Sequence, residues 1–191
     1  INPDVGTLLP PAGEVVDELF KASKYIDVLI PRGSDGLIQY VRKNSLVPVI
    51  ETGAGVCHVY VEGHANLNKA VDIVVNAKTS RPSVCNAADA ILVDKNIAGD
   101  FLNRLKPEFE KFDVEIFADN PSYKLLKGYP HLQKATAEDF GREFLSMKCA
   151  VKVVSGIDEA LDHIAEYSTR HSEAIVSEDK KACDRFIKEV D

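Results

Sequence analysis

The sequence has no tryptophan, a single methionine and only four cysteines among 191 residues, and it contains no long apolar run. Each scarcity excludes something. No stretch approaches the roughly 20 apolar residues that a membrane helix needs, and the opening INPDVGTLLPPAGE has neither the basic flank nor the apolar core of a signal peptide. Cys57, Cys85, Cys149 and Cys183 are widely spaced and form no C-x-x-C, which argues against a zinc knuckle or a disulfide framework. With only five scattered histidines besides, no metal site is expected. Basic residues are outnumbered 23 to 30, for a formal charge of -7, and they form no cluster. Neither nucleic acid nor an anionic membrane is therefore an expected partner. What remains is the composition of a globular, cytoplasmic protein of one domain or slightly more, at 45% apolar and 28% charged. The abrupt start, and an end on the amphipathic FIKEVD with no closing strand, suggest a piece of a longer protein.

Short apolar runs alternate with helical periods along the chain. EVVDELFKA, after Pro10 and Pro11, reads as a helix, YIDVLI as a buried strand, and GLIQYVRK as the next helix. VPVI follows as a second short, strand-like apolar run and VCHVYVEG as a strand, with Val56, His58 and Tyr60 on one face and Cys57, Val59 and Val61 on the other. NLNKAVDIVVNAK is a helix capped by Asn66, ILV a strand, and KNIAGDFLNRLKPEFEKF a helix interrupted near Pro107. DVEIFA, CAVKVV and EAIVS continue the strands, IDEALDHIAEYS and EDKKACDRFIKEV the helices, and residues 119–138 show no firm period and read as loop. This alternation implies an α/β fold with a largely parallel, covered sheet.

The chemistry concentrates between Val47 and Val93. Glu51 ends an apolar run and is followed by the small residues Gly53, Ala54 and Gly55, which permit close backbone approach. Cys85 follows Pro82 and the cap candidate Ser83, a placement that suits the first turn of a short helix, where the dipole lowers a thiol pKa. A thiol and a carboxylate supplied by separate elements are the parts of a covalent acyl-transfer site. A small buried Cys in a turn would present the same pattern. Upstream, Arg32-Gly33-Ser34 reads either as a capped turn or as an anion-holding helix start. Cys57 and His58 read as packed strand residues.

The runs IDVLIPRGS, VPVIETGAGVCHVYV, NAKTSRPSVCNA and SEAIVSED closely resemble the gamma-glutamyl phosphate reductase family of the aldehyde dehydrogenase superfamily, across essentially the whole chain. SRPSVCNA is the most specific, since it surrounds the superfamily nucleophile. Glu51 precedes Cys85 by 34 positions, 85 minus 51, as base precedes nucleophile in many aldehyde dehydrogenases. The resemblance implies an aldehyde dehydrogenase-like, three-layer α/β/α fold. It also implies NADPH-dependent reduction of L-glutamyl 5-phosphate to glutamate 5-semialdehyde, a step of proline biosynthesis. In that reaction Cys85 forms the thioester, its backbone N–H faces the oxyanion, and Glu51 serves as a proton or positioning residue. Arg32, Gly33 and Ser34 match the pyrophosphate-facing turn, and Glu143 the glutamate that touches the nicotinamide ribose. Asn86 and His171 are candidates to approach substrate. By the same comparison, residues 1–49 end the cofactor-binding domain and 50–191 form the catalytic domain without its C-terminal segment, within a parent expected to be a homo-oligomer.

Two other readings compete. The chain is a folded but inactive structural fragment of that enzyme, or it is a cysteine hydrolase. The latter needs a histidine on Cys85, which no spacing supports.

Overall fold

The structure, a computed structural model, describes residues 6–9, 13–33, 35–51 and 53–191. Pro10 and Pro11, the expected helix-start signal, lie outside them. The chain divides into two compact units, 1–54 and 55–191.

In the first unit, α1 (Gly13–Lys21) and α2 (Asp35–Asn44) bury Phe20 and Ile38 with Val41. Phe20 and Tyr40 sit with ring centroids 5.8 Å apart, and Tyr40 donates its hydroxyl to Asp17 at 3.0 Å. The strand expected at YIDVLI does not form. A single parallel bridge joins Leu29 to Val49, and Tyr25, Val28 and Ile30 are exposed. An apolar run becomes a buried strand only when a ladder and a covering layer receive it, and one bridge supplies neither.

The second unit is built around a six-stranded sheet. Its elements run β1 (Cys57–Val61), α3 (Leu67–Thr79), β2 (Ala88–Asp94), α4 (Ala98–Glu110), β3 (Glu115–Ala118), α5 (Asn120–Leu125), β4 (Leu132–Lys134), α6 (Ala137–Phe140), β5 (Lys148–Val154), α7 (Ile157–Tyr167), β6 (Glu173–Val176) and α8 (Lys180–Glu189). The strand order is β4-β3-β5-β2-β1-β6, and each pairing is parallel. Alternation within the strands then sorts side chains between two layers. Val59, Val61, Ile91 and Val93 face Val74 of α3 and Phe101 and Leu105 of α4. Tyr60, Leu92 and Val154 face Ala160 and Ile164 of α7 and Phe186 of α8. Helices therefore cover both faces of the sheet, as the α/β/α reading requires.

Local chemistry sets the boundaries. The Asn66 side chain accepts from Lys69 N–H at 3.2 Å and starts α3. α4 continues through Pro107, contrary to the expected interruption. Proline removes one donor, but Leu102, Leu105 and Phe109 are buried around it and hold the last turn in place. Residues 119–138, expected to be loop, hold α5, β4 and the start of α6. These elements are only 6, 3 and 4 residues long, too short to express a period, and depend on caps: Asp119 accepts from Ser122 N–H at 2.8 Å, and Thr136 with Asp139 forms a capping box.

Candidate active site

Cys85 sits in the connection from α3 to β2, and its geometry differs from the expectation in one respect. No helix begins there. Two β-turns follow in succession, closed by Val84 N–H to Arg81 O at 3.3 Å and by Ala87 N–H to Val84 O at 3.1 Å. Pro82 takes the second position of the first turn, where its fixed φ is favourable. The second turn ends as β2 begins at Ala88, leaving no room for a helical segment. The helix-dipole argument for Cys85 therefore falls. The thiol is nonetheless exposed, while Cys57 and Cys149 are buried and Cys183 is intermediate.

Three backbone segments close around this turn. Gly55, just before β1, lies against Cys85 so tightly that a Cβ built on it would strike the Cys85 carbonyl oxygen and lie 2.8 Å from the carbonyl carbon. Only glycine fits. Gly55 N–H in turn donates to Glu143 Oε1 at 2.9 Å, so Glu143 reaches the nucleophile's neighbourhood from the segment before β5. That segment is itself anchored, because Phe144 N–H donates to Asp89 Oδ1 at 3.1 Å. Asp89 belongs to β2 and also accepts from the buried Lys78 at 3.2 Å. Burial raises the Asp89 pKa, while the Lys78 ammonium and the Phe144 N–H oppose the rise.

The loop between α7 and β6 forms the opposite wall. Val56 N–H donates to Thr169 Oγ1 at 2.9 Å, and His58 N–H donates to Glu173 Oε2 at 3.0 Å. Ser168 donates to the other Glu173 oxygen. His58 Nδ1 lies 3.1 Å from that same carboxylate, although neither ring nitrogen has a hydrogen-bond partner. A buried histidine beside a buried carboxylate is thus the structural residue that the sequence suggested. Cys57 is likewise packed, its thiol donating to Cys85 O at 3.2 Å. Burial, then the carboxylates of Glu173 and Asp89, push the Cys57 thiol up to about 12, so it is no competing nucleophile.

The substrate candidates fall beside the turn. Asn86 lines a cavity of about 150 Å³ with Cys57, Ser172 and Glu173. His171 is exposed, with Nδ1 3.1 Å from Ser172 Oγ and 3.8 Å from Cys57 Sγ. Its nearest thiol is therefore that of Cys57, as a structural contact, and not that of the nucleophile candidate. Cys85, Asn86, Glu143 and His171 thus all belong to the second unit and border one turn. Glu51, Arg32 and Gly33 belong to the first unit. Glu51 is exposed, 3.7 Å from Arg42 Nη1, and Ser34 lies outside the described residues. Arg32 and Gly33 lie just before α2, which starts at Asp35. Sequence reasoning missed Asp89, Lys78 and Thr169. The only available signal was weak: an Asp and a Lys in otherwise apolar runs.

This arrangement was compared with known proteins. The chain is 50% identical over 194 residues to gamma-glutamyl phosphate reductase of Chlorobaculum parvum, covering 100% of the chain and 46% of that protein. It is 48% identical over 185 residues to the Clostridium tetani enzyme of the same name, covering 93% and 43%. The crystal structure of gamma-glutamyl phosphate reductase from Thermotoga maritima superposes with a TM-score of 0.87 at 42% identity, over 93% of this chain and 42% of that one. This chain is a homologue of gamma-glutamyl phosphate reductase. It spans less than half the length of these relatives. An acetylating aldehyde dehydrogenase from Geobacillus thermoglucosidasius, at 22% identity and a TM-score of 0.68 over 92% of this chain and 46% of that one, shares the fold. The α/β architecture read from the residues, and the aldehyde dehydrogenase-like form of it that the resemblance implied, is the one observed. No family model matches the chain.

Proposed function

We propose that this chain is the nucleophile-bearing part of a gamma-glutamyl phosphate reductase, which reduces L-glutamyl 5-phosphate to L-glutamate 5-semialdehyde with NADPH in proline biosynthesis. The observation that carries the reading is the exposed Cys85 thiol on a β-turn clamped by Gly55, with Glu143 hydrogen bonded to the clamp. In this reading residues 1–49 end the cofactor-binding domain and residues 50–191 form most of the catalytic domain of a cytoplasmic homo-oligomer.

The Cys85 thiolate attacks the acyl phosphate carbon, phosphate leaves with the bonding pair, and a thioester remains on the enzyme. The chemistry a nicotinamide cofactor would supply when bound is the hydride that reduces this thioester. Collapse then expels Cys85 as thiolate and frees the aldehyde. The backbone N–H of Cys85 faces the oxyanion of each tetrahedral stage. Glu51 moves or positions a proton and need not activate water, since hydrolysis of the thioester would waste it. Arg32, Gly33 and Ser34 would hold the cofactor pyrophosphate, Glu143 would meet the nicotinamide ribose, and Asn86 and His171 would approach the substrate.

The test is an iodoacetamide titration of the native chain from pH 6 to 9, read by peptide mass. Cys85, the exposed thiol, is expected to label ahead of Cys57, Cys149 and Cys183. A Cys85 that labels no faster than those three removes the reactive nucleophile. NADPH binding and phosphate-dependent oxidation of glutamate semialdehyde then separate an active piece from a second reading, a folded but inactive fragment. The coverage of less than half of each relative favours that second reading.

A further inference from the structure

The turn that carries Cys85 has a freedom that its own hydrogen bond does not remove. Val84 and Ala87 close it, with Cys85 and Asn86 at its centre. In a β-turn the central peptide, here the one joining Cys85 to Asn86, points its carbonyl to one side in type I and to the other in type II. Type II requires a positive φ at the third residue, a conformation that asparagine adopts more readily than most residues. The composition of this turn therefore permits both orientations. In the structure neither Cys85 nor Asn86 has a positive φ, and the central peptide takes the type I sense.

Type I is the commoner sense for most residues, and a contact from outside the turn bears on it here. The Cys85 carbonyl faces β1, where it accepts the Cys57 thiol at 3.2 Å and packs on Gly55. The β1–β2 ladder slips at this point, with Cys57 opposite Ala88 and His58 opposite Ala90, and such irregularities re-aim side chains near functional sites. We infer that Cys57 is a positioning residue, whose buried thiol latches the central peptide of the nucleophile's turn. The latch fixes together the direction of the Cys85 side chain and of the Asn86 N–H. A flipped peptide would present the Cys85 oxygen where that N–H now points. The inference rests on the reading of Cys85 as the nucleophile.

The chemistry of Cys57 suits the role. Its surroundings keep the proton on sulfur, through burial and the carboxylates of Glu173 and Asp89, so the donor persists across the physiological range. Ser172 and His171 also face that sulfur, and the His171 Nδ1 contact, at 3.8 Å, is longer than the bond to Cys85.

The test compares Cys57→Ser, which keeps a donor of similar reach, with Cys57→Ala, which removes it. Both are measured by the rate and pH midpoint of Cys85 alkylation in the native chain, with thermal unfolding recorded alongside. Cys57→Ala is expected to slow Cys85 labelling at pH 7 by about fivefold, the worth of one hydrogen bond of ordinary net strength. Cys57→Ser is expected to stay within about twofold of the parent, at an unfolding midpoint close to that of the alanine variant. A Cys57→Ala chain that labels at the parent's rate and midpoint overturns the latch, as does an equal deficit in the serine and alanine variants. If Cys85 is not the preferred thiol in the parent chain itself, the functional reading fails first, and the two failures are thereby distinct.

Discussion

Lys78 donates to Asp89 at 3.2 Å with the two side chains 0% and 4% exposed, a fully buried ion pair between α3 and the strand that follows the nucleophile's turn. The same Asp89 oxygen holds Phe144 N–H, next to Glu143. Removing one partner leaves the other charge uncompensated in the core. Lys78→Met is expected to lower the unfolding free energy by about 3–5 kcal/mol, the usual consequence of breaking a buried pair. Denaturant melts of the variant and parent check this. A loss below about 1 kcal/mol would mean that the pair is dispensable.

Gly55 offers a second test. A methyl group at this position strikes the Cys85 carbonyl, and the neighbour is backbone, not the tip of a flexible side chain. Gly55→Ala is expected to destabilise the chain by about 1–3 kcal/mol, the range for overpacking, and to change the Cys85 alkylation rate. Gly53→Ala, with open space around its Cβ position, is the control and should change neither.

Glu143 makes a prediction about its own role. As acceptor for Gly55 N–H, it can be replaced by glutamine with the amide oxygen in the same place. Glu143→Gln should keep the parent's Cys85 labelling rate, and Glu143→Ala should lower it. If both variants lose the rate equally, the carboxylate charge matters and not the hydrogen bond.

The buried His163 predicts a pH response. Burial first, then Lys152 and His58, lower its pKa from the ordinary histidine value to about 3. Lys152 can only donate, and its Nζ lies 3.3 Å from His163 Nδ1, so the neutral ring carries its proton on Nε2. The unfolded chain protonates this histidine near pH 6.5 while the folded chain does not until about pH 3. Between those values the unfolded state binds the extra proton, so stability falls as pH falls from about 6.5. His163→Gln should remove about one proton from the slope of unfolding free energy against pH between 4 and 6. Urea melts across that range would show it, and identical slopes would exclude His163 as the source.

Much of this protein is legible in order along the chain. Hydrophobic period alone places α3, α7, α8 and β1, because a helix or strand with one or two buried faces must repeat its apolar residues at its own pitch. Asn66 marks the start of α3 for an equally local reason. The SRPSVCNA run points to Cys85 by resemblance. Elements too short to repeat, such as β4 and α6, leave no period, and the YIDVLI run shows the converse, a strand pattern without a ladder to receive it.

Tertiary structure alone decides what surrounds the nucleophile candidate. Gly55, Cys57, Asp89, Glu143 and Thr169 come together at one turn although sequence separations of up to 113 residues lie between bonded partners. Parallel strands force this, since each pairing needs a crossover and brings distant segments to the same end of the sheet. The turn at Cys85 is the clearest instance. Its residues permit either orientation of the central peptide, and Gly55 and Cys57, remote in sequence, meet the Cys85 carbonyl in the one observed.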